Sequence, residues 1–143
     1  MGSREFSRGR LVVARLPYGG DLLAEIAKVA DEHRMQTAEL RAIGALQRAR
    51  LAYYDQEARE YREFAVEEPV ELVSVLGNVS RRDGSTAVHA HAALGGRLGG
   101  TTGGHVAPGC TIFACELVLQ ELVGEALERA YDEQTGLPLW RGL

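Results

Sequence analysis

Lysine is nearly missing from this sequence: Lys28 is the only one, and arginine carries almost all of the positive charge. Acidic residues outnumber basic ones, and the formal net charge is −4. The chain as a whole therefore has no field that would gather DNA or an anionic membrane surface. Cysteine is scarce as well. Cys110 and Cys115 are read as members of one strand, where an odd separation predicts side chains on opposite faces and no mutual disulfide. Their spacing does not match a CxxC zinc or redox motif, and two reduced cysteines suit the cytoplasm. No apolar run approaches the ~20 residues of a membrane-spanning helix, and the opening residues lack the apolar stretch of a signal peptide. The expectation is a soluble, cytoplasmic protein without a membrane partner. Nucleophile elbows are missing too: none of Ser74, Ser80 and Ser85 sits in a G-x-S-x-G context.

What is present is enough for one domain. A chain of 143 residues with 45% hydrophobic content can bury a core without disulfide support. Residues 1–9 are polar and Arg-containing, and read as a flexible tail; residues 10–143 read as a single domain. Leu11 to Leu16 form a short buried strand, ended by Pro17, Gly19 and Gly20. Asp21 then stands at a helix N-cap, with Leu22, Leu23, Ile26, Val29 and Ala30 at helical spacing behind it. From Thr37 the period becomes that of strands. Ala38–Ile43 is one run, Gly44 breaks it, and Leu46–Tyr54 pairs with Glu60–Val66 in a hairpin. Further strands are predicted over Val70–Val79, Ser85–Leu94 and Cys110–Leu122, with a glycine-rich connection over Gly95–Gly104 and an irregular tail after Asp132. One helix on one face of a largely antiparallel sheet is an α+β architecture.

His89 and His91 carry the sharpest chemical signal. Residues at i and i+2 of a strand project from the same face, about 6.5–7 Å apart along the chain. Two imidazoles at that separation can converge on one ion, and the small neighbours Ala87, Ala90, Ala92 and Ala93 leave room for it. His105, behind Gly103 and Gly104, can supply a third ligand if the glycine-rich segment folds back beside the strand. Three histidines with an open fourth position is the donor set of a catalytic zinc, of use to a lyase or a hydrolase.

Other motifs lead nowhere. The three Gly-Gly pairs of Gly95–Gly104 lack the following helix and the Gly-Lys-Ser/Thr of a phosphate loop, so they predict tight turns and close backbone approach. Arg8-Gly9-Arg10 has the core of an AT-hook, but Leu11 follows where proline belongs and begins a strand. Glu71, Glu116, Tyr53, Tyr54 and Asn78 lie on or near strands and could orient or exchange a proton. Spacing does not choose among them, and no catalytic residue is assigned.

The chain resembles the plants-and-prokaryotes-conserved (PPC) domain family from about Arg10 to Leu139. The resemblance is carried by Gly20-Asp21, Ile43-Gly44-Ala45-Leu46, Tyr53-Tyr54-Asp55 and Val70 to Asn78. It continues through Val88-His89-Ala90-His91, Gly103-Gly104-His105 and Asp132 to Leu137. It implies a homotrimer built on a twisted antiparallel sheet, with Zn²⁺ or another divalent metal on His89, His91 and His105. The implied fold is similar to that of acetolactate decarboxylase, a lyase whose zinc is held by three histidines, an analogy that licenses no substrate. Plant members join the domain to AT-hooks and lack these histidines, and this chain lacks their hook. The leading expectation is a trimeric metal-binding protein for a small anionic or carbonyl compound. The alternative is a DNA-associated or architectural protein acting through trimerisation, and specific DNA binding is not expected.

Overall fold

Asp21 decides where the helix starts. Its Oδ1 accepts from the backbone N–H of Ala24, an N-cap bond, while its Oδ2 accepts from the N–H of Gly109 and ties the cap to a distant turn. Helix α1 (Leu22–Glu32) buries Leu22, Ile26 and Ala30 and ends at His33, after which Arg34 turns left-handed at φ 55°. The computed structural model describes residues 2–143, and α1 is the one helix among them.

The rest is strand: β1 (Ser7–Leu16), β2 (Ala38–Asp55), β3 (Glu60–Val66), β4 (Val70–Arg82), β5 (Ser85–Gly95), β6 (Thr101–Val106), β7 (Thr111–Val123), β8 (Arg129–Tyr131) and β9 (Pro138–Trp140). The first seven form one antiparallel sheet in the order β1-β7-β2-β4-β5-β6, with β3 on β2. β6 also pairs with the far half of β2, through Leu51 opposite Val106 and Ala52 opposite His105. That contact closes β2, β4, β5 and β6 on themselves, so β6 does not end as an open edge. Strands β8 and β9 form a separate small hairpin. The α+β reading holds, with a mostly antiparallel sheet and a single helix.

Helix α1 covers one sheet face. Beneath it Leu40, Leu72, Val75, Leu94, Ile112, Leu117 and Leu119 are completely or almost completely buried, each leucine contributing about 1.5–3 kcal/mol over its exposed state. Thr86 on β5 donates to Asp31 Oδ1 and pins the end of the helix to the sheet.

Several boundaries differ from the sequence reading, each for a local reason. Ser7 and Arg8, assigned to the tail, pair with Val123 and Leu122 and begin β1; Met1 lies outside the described residues. Gly44 does not break β2. It takes φ +153° at a register shift, where a Cβ would collide with the Ala114 carbonyl, so the strand bends and continues. The glycine-rich connection is a turn followed by a strand, β6. The start of β7 is irregular. An extra residue at Phe113, between Ala114 opposite Ala45 and Ile112 opposite Leu46, puts Ile112 on the same side as Cys115, Leu117 and Leu119. Cys110 lies just before the strand and is buried beside Arg50 and Ala107. Both cysteines are therefore inside, free and unpaired, rather than on opposite faces.

Candidate metal centre

β5 projects His89 and His91 from the sheet face that α1 leaves open, while Ala90 and Ala92 between and beyond them are buried on the other side. β6 brings His105 directly opposite His91 in antiparallel register, where facing side chains have Cβ atoms about 4.5–5.5 Å apart. The glycines before His105 make this approach possible. A Cβ on Gly103 would stand 2.7 Å from the Ala92 carbonyl oxygen, and one on Gly104 would stand 2.8 Å from that of Ala52. Close backbone approach is thus the role these glycines play. They seat β6 against β5 and β2, and with it the third imidazole.

The three imidazoles converge. Their potential ligand nitrogens lie within 4.8 Å of one another, and their ring centroids are 5.2, 5.0 and 5.4 Å apart. His89 and His105 are half-buried and His91 is exposed. His89 Nε2 and His105 Nδ1 are buried without any hydrogen-bond partner, a state that costs about 1–3 kcal/mol for each group. Burial first, then the Arg129 charge and the other two imidazoles, pushes His89 down to about 4. Burial, then His91 and Arg129, lowers His105 as well. Both rings are therefore neutral near pH 7, with lone pairs free, as metal ligands must be. Three convergent imidazoles, two of them neutral and each of those two with a buried nitrogen lacking a partner, are a donor set that fits a divalent ion with M–N bonds of about 2.0–2.1 Å.

Two residues that the sequence reading passed over surround this cluster. Tyr61 of β3 stacks on His105 at 4.5 Å between ring centroids and meets Tyr54 edge-on at 5.0 Å. Tyr54 in turn donates to the Thr135 carbonyl at 2.6 Å, fastening the C-terminal segment beside the site. Arg129 of β8 reaches under it. Its Nε donates to Ser80 Oγ at 2.9 Å, Nη1 to the Pro138 carbonyl at 2.8 Å and Nη2 to Asn78 Oδ1 at 2.8 Å. The same Nη2 lies 3.4 Å from His89 Nδ1. β8 and β9 are three residues each, too short for periodicity to show. The sequence signal nearby was the resemblance of Asp132 to Leu137, which sits next to Arg129 without including it.

The other sequence candidates divide clearly. Asn78 pairs across from His89 and belongs to the surroundings of the site, whereas Glu71 pairs with Gly95 at the far end of β4. At 3.2–3.4 Å per residue that separation is roughly 20 Å. Glu71 lines a different cavity of about 630 Å³, with Glu68, Arg97 and Phe113, out of reach of a ligand on the histidines of its own chain. Glu116 pairs with Arg15 on one side and Ile43 on the other, and Tyr53 is exposed. Ser80 is buried as an acceptor for Arg129, and Arg10 of the hook-like triplet is bound to Glu121. No helix among the described residues is long and apolar enough to cross a membrane.

Comparison with known proteins agrees with this geometry. The family model described as the Plants and Prokaryotes Conserved (PCC) domain matches residues 3–123. A crystal structure of a metal-containing protein from Archaeoglobus fulgidus is 44% identical, with a TM-score of 0.93 over 98% of this chain and 99% of that one. A plant- and prokaryote-conserved protein from Pyrococcus horikoshii is 38% identical, with a TM-score of 0.93 over 100% and 99%. A candidate DNA-binding protein from Ralstonia eutropha shares the fold at 21% identity, with a TM-score of 0.82 over 92% and 90%. Among curated proteins, the bifunctional protein GlmU of a Synechococcus strain is 33% identical over 129 residues, or 89% of this chain; the match spans only 20% of that protein's length.

Proposed function

The chain belongs to the Plants and Prokaryotes Conserved domain family, and we propose that it is a metal-binding protein in which His89, His91 and His105 hold one Zn²⁺ or similar divalent transition metal. The observation that carries this reading is the convergence of the three imidazoles, one ring nitrogen of each within 4.8 Å of the others, together with the buried and partnerless His89 Nε2 and His105 Nδ1. The metal-containing relative from Archaeoglobus fulgidus supports it. Three protein ligands leave a coordination position open to a small anionic or carbonyl compound, and a metal bound there would polarise a carbonyl or activate water. The chain's own part is to keep two of the imidazoles neutral by burial, to cover His105 with the Tyr61 ring, and to hold Arg129 against His89.

The proposed working form is a homotrimer in the cytoplasm. The uncovered apolar face of the sheet supports assembly, and two free buried cysteines suit a reducing compartment. The alternative, a DNA-associated protein, draws on the description of the Ralstonia structure. A net charge of −4 and the engagement of Arg10 by Glu121 weigh against it.

Elemental analysis of protein purified without a metal-affinity tag or chelator tests the metal reading. Close to one ion per chain is expected, falling to background in His89→Ala/His91→Ala while the circular dichroism spectrum is preserved. Full occupancy in that double variant would overturn the assignment. Titration with duplex DNA at about 150 mM salt, where nonspecific phosphate contacts are weakened, is expected to show no specific complex.

A further inference from the structure

Arg129 brings a positive charge to the floor of a chamber in which nothing neutralises it. The chamber, about 230 Å³, is lined by Tyr61, Ala87, His89, His105, Arg129 and Leu139 among others, and no aspartate or glutamate lines it. Among the described residues no carboxylate lies within salt-bridge distance of Arg129. Its partners are a hydroxyl, a peptide carbonyl and an amide oxygen, all neutral, with the Trp140 ring 5.5 Å from the guanidinium carbon. Partly buried charges are ordinarily paired. A divalent ion on three neutral imidazoles would place two further positive charges at the same chamber. The electrostatic balance of the site therefore calls for an anion that the chain does not supply.

Size and lining narrow the anion. A volume of about 230 Å³ is below the ~300–1,000 Å³ of pockets that take drug-sized ligands, which favours a small anion. Beyond the charged end the walls are largely apolar, formed by Ala87, Val88, Leu137, Pro138 and Leu139 with the face of Tyr61, and Arg82 adds a second positive charge to the lining. They suit a short hydrocarbon or planar body rather than a fully hydrated polyanion. Resting on the metal reading above, we infer that the chamber takes a small carboxylate, with its anionic end at Arg129 beside His89 and His105 and its body against Tyr61, Ala87 and Leu139.

Arg129 has the donors for this. A guanidinium carries five N–H groups. Three are committed to Ser80, Pro138 and Asn78, the second Nη2 hydrogen faces His89 Nδ1, and the second Nη1 hydrogen has no partner among the described residues. When Nε2 of a neutral imidazole ligates a metal, the ring proton sits on Nδ1, so His89 can no longer accept from Arg129. Ligation thus frees a guanidinium N–H on the Nδ1 side of the His89 ring, facing the chamber. A carboxylate can accept such bonds through either oxygen, in a charge-assisted contact.

Isothermal titration of zinc-loaded protein with propionate, benzoate and inorganic phosphate, alongside zinc analysis of every sample, tests the inference. At least one carboxylate is expected to bind wild type, with phosphate at least tenfold weaker. Arg129→Gln is expected to weaken the carboxylate at least tenfold at unchanged zinc content, and Arg129→Lys to recover part of the loss. Because Arg129 also anchors the β8–β9 hairpin, Ala87→Leu supplies a second arm: it narrows the chamber without touching the guanidinium, and benzoate binding is expected to disappear. Carboxylate binding unaffected by both Arg129→Gln and Ala87→Leu, tighter binding of phosphate, or no carboxylate binding by zinc-replete wild type would overturn the inference. If the protein takes up no zinc, the metal reading fails by itself. Carboxylate binding by that zinc-free protein, lost in Arg129→Gln, would then sustain the inference, and its absence would end it.

Discussion

Arg10 shows how one side chain can tie three elements together. Its Nε and Nη2 donate to Glu121 Oε2 and Oε1, each at 2.8 Å, its backbone N–H adds a third bond to the same carboxylate, and Nη2 also reaches the His33 carbonyl at the end of α1. β1, β7 and the helix C-terminus meet at this guanidinium, which is why the Arg8-Gly9-Arg10 triplet is not a free arm for a DNA groove. The side-chain and backbone bonds from Arg10 hold Glu121 at about 2, against an ordinary glutamate value of 4.5. A carboxylate whose folded value is depressed stabilises the fold fully above its unfolded value, and that contribution is lost as pH falls through the folded one. The window is thus from about 4.5 down to about 2. Glu121→Gln is expected to melt below wild type at pH 7, with the gap narrowing steadily as the pH falls through that window. Thermal melts at unit pH steps would read it, and a gap that stayed constant with pH would remove the ion pair as its cause.

At the level of elements, α1 and the β2–β3 hairpin were plain in the sequence because each repeats a periodic pattern between recognisable stops: Asp21 before the helix, and Asp55 to Glu57 between the strands. The HxH pair was legible for the same reason, since a strand period of two fixes a shared face. What escaped were features that depend on one strand meeting another. Gly44 has the look of a strand breaker in one dimension; only the Ala114 carbonyl against it shows a bend within a continuous strand. The bulge at Phe113 exchanged the faces of the start of β7, and no count along the chain could have located it. Arg129 entered the site from a three-residue strand through contacts with residues about 40 to 50 positions away. Gly44→Ala is accordingly expected to destabilise by several kcal/mol, because it adds a Cβ both at a positive φ and into a backbone carbonyl. Denaturant unfolding would measure this. A loss under about 1 kcal/mol, the scale of a simple Gly/Ala propensity difference, would mean that the bend tolerates a side chain.

For the whole molecule, the telling feature is a row of residues crossing the open sheet face from strand to strand. Val13 lies opposite Val118, Val118 opposite Arg41, Arg41 opposite Leu76, Leu76 opposite His91, and His91 opposite His105. Val13 is 71% and Leu76 61% exposed, and Ile43 and Phe113 on the same face are 55% and 59% exposed. An antiparallel sheet with one solvated face ordinarily carries polar residues there; here large apolar side chains are exposed among charged ones such as Arg41 and Glu116, and such exposed apolar surface marks an interaction site. A second copy of the chain is the occupant that family membership favours, in the trimeric arrangement proposed above. The three proposed ligands all come from one chain, however, so assembly and metal binding are expected to be separable. Wild type is expected to scatter light as a trimer at micromolar concentration. Val13→Glu/Phe113→Glu, which puts like charges on each copy's open face, is expected to dissociate it while leaving about one metal ion per chain. A wild-type monomer, or a double variant that remains trimeric, would show that this face is not the contact. A monomeric variant that also lost its metal would show instead that the neighbouring copy is needed to complete or shield the histidine cluster, the exposed His91 above all.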